Sequence, residues 1–226
     1  MKAMAVLLGV SLACLVGWCL TGCGDGSDQL DSSDRKERIQ GLRQYAKKGG
    51  DTVAEKVAQV VRTDDTMVAA EAVRSLGSMR ASRSLEILKE VASGANEKRG
   101  AVRQEAVIQL GRQGGTAPLP VLREIIKIDP DPEVRAAAAT SIAWLGSLAD
   151  VALLVEVAEN ETDPIVQARA VGAVEHLIGM KFAYNPAAPQ AEREKALRRV
   201  RARAVTAAAD VMSARRKLKM MKTPDE

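Results

Sequence analysis

Apolar side chains recur along the chain at the spacing of one helix face, and the clearest copy of this pattern lies at residues 129–146. Its apolar positions follow one another at steps of four, four and three: Val134, Ala138, Ile142 and Leu145. Such steps predict a helix that is buried along one side. Asp131 and Pro132 are residue types that begin helices, and Gly146 is expected to end this one in a left-handed conformation. A second apolar stripe over residues 151–158 completes a helix hairpin, which needs neighbours to cover its apolar face.

The hairpin returns along the chain with a nearly constant period. When the copies are aligned on one Val of the first helix, they fall at Val68, Val102, Val134 and Val166, at intervals of 34, 32 and 32 residues. A period of this length indicates a solenoid. We place an array at 34–189, made of an N-terminal cap hairpin at 34–62 and copies at 63–95, 96–128, 129–160 and 161–189. The predicted fold class is all-α: a right-handed α-α solenoid of helix hairpins with a long C-terminal helix.

The long helix is predicted over 190–221, where no residue breaks a helix, and 222–226 is expected to be a disordered tail. An apolar heptad from Leu197 suggests that the first half packs on the fourth hairpin and allows a homodimer through the helix. The net charge of +4 hides a basic C-terminal end, with eleven basic against five acidic residues from Gln190 on. Its cluster of Arg215, Arg216, Lys217 and Lys219 fits either a contact with anionic lipid or an acidic partner, or a solvated helix face.

The copies resemble HEAT repeats, in particular the short HEAT-like repeats of phycocyanobilin lyases. The resemblance lies in Asp-Pro-Glu-Val-Arg-Ala-Ala-Ala at 131–138 and in Val-Arg at 102–103, and it covers about residues 60 to 180. It implies stacked hairpins that are linked by a ladder of Arg–Asp pairs. Because Ala69 and Gln167 replace the Arg in the outer copies, a continuous ladder is not predicted.

The N-terminus has the pattern of an export signal. Lys2 precedes an apolar run over 3–20, and Leu20-Thr21-Gly22-Cys23 resembles the lipobox of bacterial lipoproteins. The resemblance implies a signal peptide at 1–22, lipid attached to Cys23, and a protein held in the bacterial envelope, facing the periplasm or the cell surface. Gly24 after the Cys favours the outer membrane. The alternative is that the apolar run stays as a transmembrane anchor. Residues 23–33 are expected to form a flexible tether.

Few residues could supply chemistry. The three Cys lie within the first 23 residues, and His176 is the single His, late in a first helix, where we expect a structural role. We therefore predict neither catalytic residues nor a metal site. Gly111–Gly115 lacks the Lys-Ser/Thr of a phosphate loop and is interpreted as a helix terminator. Four acids are assigned to helix caps or exposed faces: Glu71, Glu105, Glu133 and Asp163.

Stacked hairpins offer an extended surface without a catalytic pocket. Our hypothesis is a non-enzymatic, lipid-anchored scaffold that binds an unidentified protein partner at the membrane. No cofactor is expected other than the covalent lipid on Cys23, and nucleic acid is not expected as a partner of an exported protein. The alternative, suggested by kinship of the repeats alone, is a chromophore lyase-like or other cofactor-handling enzyme.

Overall fold

The computed structural model describes residues 26–79 and 81–222 of the chain. This part holds ten α-helices and no strand. The helices are α1 (Arg35–Tyr45), α2 (Asp51–Thr63), α3 (Thr66–Ser78), α4 (Ser82–Ala92), α5 (Gly100–Arg112), α6 (Leu119–Ile128), α7 (Pro132–Leu145), α8 (Val151–Asn160), α9 (Pro164–Ile178) and α10 (Gln190–Lys222).

The helix starts follow from their capping residues. The Asp131 carboxylate accepts a hydrogen bond from the backbone N–H of Glu133, and the Asp163 carboxylate accepts from those of Ile165 and Val166. The predicted caps are thereby confirmed. The predicted end of α7 is wrong in its conformation. Gly146 has a φ of −76° and is extended, and it is needed because a Cβ there would lie 2.5 Å from the carbonyl oxygen of Ile142.

The hairpins stack into two layers. The first helices α1, α3, α5, α7 and α9 pack side by side along most of their lengths, whereas α4, α6 and α8 of the second layer touch one another only briefly. The close approach follows from small residues on the first helices, including the buried Ala72, Ala106, Ala139 and Ala170. One apolar core runs between the layers from Leu42 to Ala204. The predicted all-α solenoid is confirmed.

The array closes with α10, which occupies the second layer after the loop at 179–189. Among the side chains of α10 that the structure describes, those of Leu197, Val200 and Ala204 are buried, all in the first half. This half packs chiefly on α8 of the third hairpin and less on α9, so the expected packing on the fourth hairpin is only part of the contact. Phe182 and Tyr184 in the loop pack against the core and cover the end of the array.

The tether differs from the sequence expectation in its second half. Asp28–Asp31 form a 3₁₀ helix that packs against α1. The contact depends on glycine, because a Cβ on Gly41 would lie 2.8 Å from the carbonyl oxygen of Gly26. Cys23, the predicted signal peptide at 1–22 and the last four residues lie outside the described residues. None of the described helices is long and apolar enough to cross a membrane.

Candidate interaction surface

Two arginines, the buried Arg103 and the half-buried Arg135, join consecutive hairpins through the turns between them. Arg103 on α5 donates to both carboxylate oxygens of Asp129, each at 2.9 Å, and to the carbonyl of Lys98 at 2.9 Å. Arg135 on α7 repeats the arrangement with Glu161, at 2.7 and 2.9 Å, and with the carbonyl of Asp129 at 2.8 Å. Arg103 therefore links the turn before α5 to the turn after α6, and Arg135 links the turn before α7 to the turn after α8. These links fix the angle between hairpins.

The ladder continues where the sequence lacks the expected Arg. Over Ala69, Arg99 from the next hairpin donates to the carbonyls of Val61 at 2.6 Å and Asp64 at 2.8 Å. Arg99 also binds the carboxylate of Glu97. The expected interruption at Ala69 is thus absent. Arg99 lies four residues before the ladder position that Arg103 occupies, and it binds carbonyls at the end of α2 and in the turn before α3.

At the other outer copy, Gln167 replaces the Arg and recruits two partners from the closing segment. Its amide donates to the carbonyl of Glu161 at 2.8 Å, and its Oε1 accepts from the Tyr184 hydroxyl at 2.7 Å and from Arg193 at 3.2 Å. Burial raises the pKa of Tyr184, which keeps its hydroxyl a donor. Together these bonds attach α10 to the fourth hairpin. They could not be found from the repeat pattern, since the loop and α10 stand outside it.

The exposed face of the first helices has a charged N-terminal half. Arg43 donates to Glu71 at 2.6 Å, Arg74 bridges Glu71 at 3.1 Å and Glu105 at 2.9 Å, and Glu105 accepts from Gln109 at 2.7 Å. Glu71 is buried within this chain. Assigning Glu71 and Glu105 to caps or exposed faces was therefore wrong, because both link neighbouring helices. The charges of Arg43, Glu71, Arg74 and Glu105 are therefore paired with one another.

The C-terminal half of the same face carries a groove around Trp144. The groove holds about 300 Å³ and lies across α5, α7 and α9. Its floor is made of Ile108, Ala136, Ala137 and Thr140. Trp144 stands at the groove with 53% of its surface exposed. Small floor residues leave the indole ring uncovered, so a large apolar surface faces solvent at a position where a partner can reach it.

Two arginines and one glutamate line this groove. Arg112 on α5 and Arg169 on α9 line it, and neither has an ion pair or hydrogen bond within the described part of the chain. Glu133, which accepts a hydrogen bond from Gln104 at 3.4 Å, supplies one negative charge against these two positive charges. The groove is therefore an aromatic site with excess positive charge.

Trp144 was not singled out by the sequence, although the alignment of copies contains it. Ten residues after the reference Val, the four copies carry Ser78, Arg112, Trp144 and His176. Three of these residues are polar, which is typical of a solvent-facing row. An aromatic residue at this position of the repeat is therefore expected to be exposed, as Trp144 is. His176, at the same position of the fourth copy, is also exposed.

Two further grooves open between second-layer helices, one between α4 and α6 of about 360 Å³ and one between α6 and α8 of about 420 Å³. Their charged walls include the pairs Arg103–Asp129 and Arg135–Glu161. Those groups satisfy one another. Within the described residues no cluster of His, Cys, Asp or Glu could hold a metal ion. Gly114 and Gly115 have φ values of 75° and 71° in the turn after α5, in line with a terminator.

Comparison with known proteins supports the repeat architecture. Residues 93–175 match the family model of HEAT repeats. Among solved structures the chain is similar to one described as "Structural Basis of Microtubule Plus End Tracking by XMAP215, CLIP-170 and EB1", with a TM-score of 0.50 and 18% identity. That alignment covers 85% of this chain and 90% of the other. No curated protein matches the chain at a significant level.

Proposed function

We propose that the chain, whose central residues match HEAT repeats, is a non-catalytic scaffold that is held at the bacterial envelope by lipid on Cys23 and binds a protein through the groove at Trp144. The observation that carries the proposal is the exposed indole ring between two unpaired arginines. Trp and Arg are the residue types that most often dominate the free energy of binding between proteins.

Rigidity of the first-helix layer supports a preformed binding site. Small residues hold α5, α7 and α9 together, and the ladder fixes the turns on both sides of α7. A partner would therefore meet a groove that needs little ordering, which reduces the entropic cost of association. The similar solved structure, described in terms of proteins that track microtubule ends, is in line with this use of the fold.

The anchor is supported by residues 1–23, where charge, apolar run and lipobox-like motif agree in position. Lipid on Cys23 would place the array close to the membrane surface, with the outer membrane favoured. Intact mass of the protein from detergent-extracted membranes of its host tests this directly. A chain that begins at Cys23 with added acyl mass is expected, and an unmodified chain that retains Met1 would exclude the anchor.

Site-specific photo-cross-linking in the host tests the binding face. A photoreactive amino acid in place of Thr140, at the groove, is expected to capture one protein, and Trp144→Ala should remove that product, since losing an interfacial Trp costs about 2–4 kcal/mol. The matched control is the same amino acid at Ala152, which is exposed on α8 in the other layer. Equal products from both positions, or a product that survives Trp144→Ala, would contradict the proposal.

A further inference from the structure

A second cationic groove lies at the closing end of the array, away from Trp144. It holds about 390 Å³ between the loop at 181–183 and α10. The half-buried Phe182 supplies an apolar wall, with the buried Val200 beneath it, and Arg199, Arg203 and Lys181 supply the charged ones. No carboxylate lines this groove. Lys181 is paired with Glu175 at 2.9 Å, which leaves two arginines to determine the charge of the groove.

Arg199 and Arg203 are placed one helical turn apart, on the same side of α10. Both are exposed, and neither has an ion pair or hydrogen bond in the part of the chain that the structure describes. Like charges four residues apart repel each other and disfavour the helix. An anion between them would remove that repulsion and could accept hydrogen bonds from both guanidinium groups.

We propose that this groove binds the phosphate headgroup of an anionic membrane lipid. The charge of two free guanidinium groups matches a phosphate, and the neighbouring half-buried ring of Phe182 suits the apolar part of a lipid that a free anion lacks. The helix α10 and the N-terminal helix α1 lie at opposite ends of the stack. A lipid contact at α10, together with lipid on Cys23, would hold the array at two points along the bilayer.

The inference rests on the proposed membrane location, but not on the groove at Trp144. It is tested by flotation of the chain from Gly24 onward, which keeps every described contact, with vesicles of equal parts phosphatidylcholine and phosphatidylglycerol. We expect binding to these vesicles and little to vesicles of phosphatidylcholine alone. Arg199→Gln with Arg203→Gln should weaken the binding by on the order of tenfold or more, given the contribution of each cation near an anionic surface.

The matched control is Lys195→Gln with Arg198→Gln, which removes the same charge from exposed positions of α10 that do not line the groove. It should weaken binding by less than about threefold, as expected for charges away from the headgroup site. Equal losses in both double variants would overturn the proposal in favour of general attraction by net charge. Competition by inorganic phosphate at constant ionic strength would also overturn it, because free phosphate would then be the ligand.

The outcomes separate this inference from the proposed function. If vesicle binding fails while the cross-link at Thr140 persists, the lipid site alone is wrong. If the cross-link fails while both arginines remain necessary for vesicle binding, the protein partner alone is wrong. Circular dichroism of both double variants shows whether α10 has kept its helix.

Discussion

At the scale of single residues, the array depends on a few charges that have been removed from water. The side chains of Arg103 and Asp129 are 6% and 5% exposed, yet they lie between hairpins and not in a closed core. Burying such a pair contributes little net stability, but breaking it leaves an unpaired buried charge. The ladder therefore contributes mainly to the angle between hairpins, and its loss should be costly.

We expect Arg103→Met to lower the free energy of unfolding by about 3–5 kcal/mol, because the Asp129 carboxylate would stay buried without its partner. Adding Asp129→Asn should restore part of the loss, since a neutral amide oxygen can still accept from the backbone N–H of Asp131. Arg35→Met is the control: Arg35 is 59% exposed in its pair with Asp65, so the change should cost less than about 1 kcal/mol. Urea unfolding measures all three, and equal costs for Arg103 and Arg35 would contradict the argument.

The pH dependence of stability should reflect the paired acids. The hydrogen bond from Arg43 is the main reason why the pKa of Glu71 lies below the ordinary value of 4.5, and the bond from Arg74 adds to it against the effect of burial. A lowered pKa stabilises the folded state above the unfolded pKa, and this contribution is lost as the pH falls through the folded value.

We therefore expect the free energy of unfolding to drop as the pH falls below about 4.5. Glu71→Gln should be less stable at neutral pH and should lose less stability over the same acidic range. Urea unfolding across this range compares the two chains. Parallel curves would show that Glu71 does not contribute to the acid sensitivity.

At the scale of helices, the distance between first-layer neighbours is set by small residues. Gly111 on α5 faces α7, and a Cβ there would lie 2.5 Å from the Ser141 hydroxyl, whose bond to the carbonyl of Val107 is buried. Gly172 on α9 meets nothing within 4 Å. The same residue type thus has opposite roles on two equivalent helices.

Gly111→Ala is expected to destabilise the fold by about 1–3 kcal/mol, because α5 and α7 must move apart or the buried hydroxyl must shift. Gly172→Ala is the matched control and should stabilise the fold by about 0.5–1 kcal/mol, since Ala favours the helix and has room. Thermal unfolding of both variants gives the sign. A stabilising Gly111→Ala would mean that the two helices are not in close contact.

The period of the apolar residues was sufficient to predict an all-α solenoid of helix hairpins. It located Val68, Val102, Val134 and Val166, all of which are fully buried. It was not sufficient for contacts between non-equivalent positions, such as Arg99 over Ala69 or Tyr184 on Gln167. The groove at Trp144 was missed for a related reason. Whether an aromatic side chain is exposed depends on how much of it the neighbouring helices cover, and the apolar pattern of a single helix does not give this.

At the scale of the whole molecule, the groove at Trp144 and the segment that closes the array lie at different places. The N-terminal half of the first-helix face has paired charges, and the groove at Trp144 lies over α5, α7 and α9. The closing end is covered by the loop at 179–189 and the first half of α10. Among the side chains that the structure describes, none beyond Ala204 is buried.

Two truncations distinguish the two halves of α10. A chain that ends after Ala207 keeps Leu197, Val200 and Ala204 in the core and should retain the stability of the full chain. A chain that ends after Pro189 exposes the apolar surface of α8 that Leu197 and Val200 cover, and we expect it to lose several kcal/mol, as for the loss of two fully buried apolar side chains.

Sedimentation of the same chains tests the proposed homodimer. If α10 self-associates through its heptad, the full chain should be a dimer and the chain ending after Ala207 should be a stable monomer. The shorter chain keeps the first half of the heptad, which is buried in the array, and lacks the second half, which would contact the other copy. A full chain that is monomeric at all concentrations would exclude the dimer. Loss of stability in the chain ending after Ala207 would instead show that the second half of α10 contacts the array, against the packing described above.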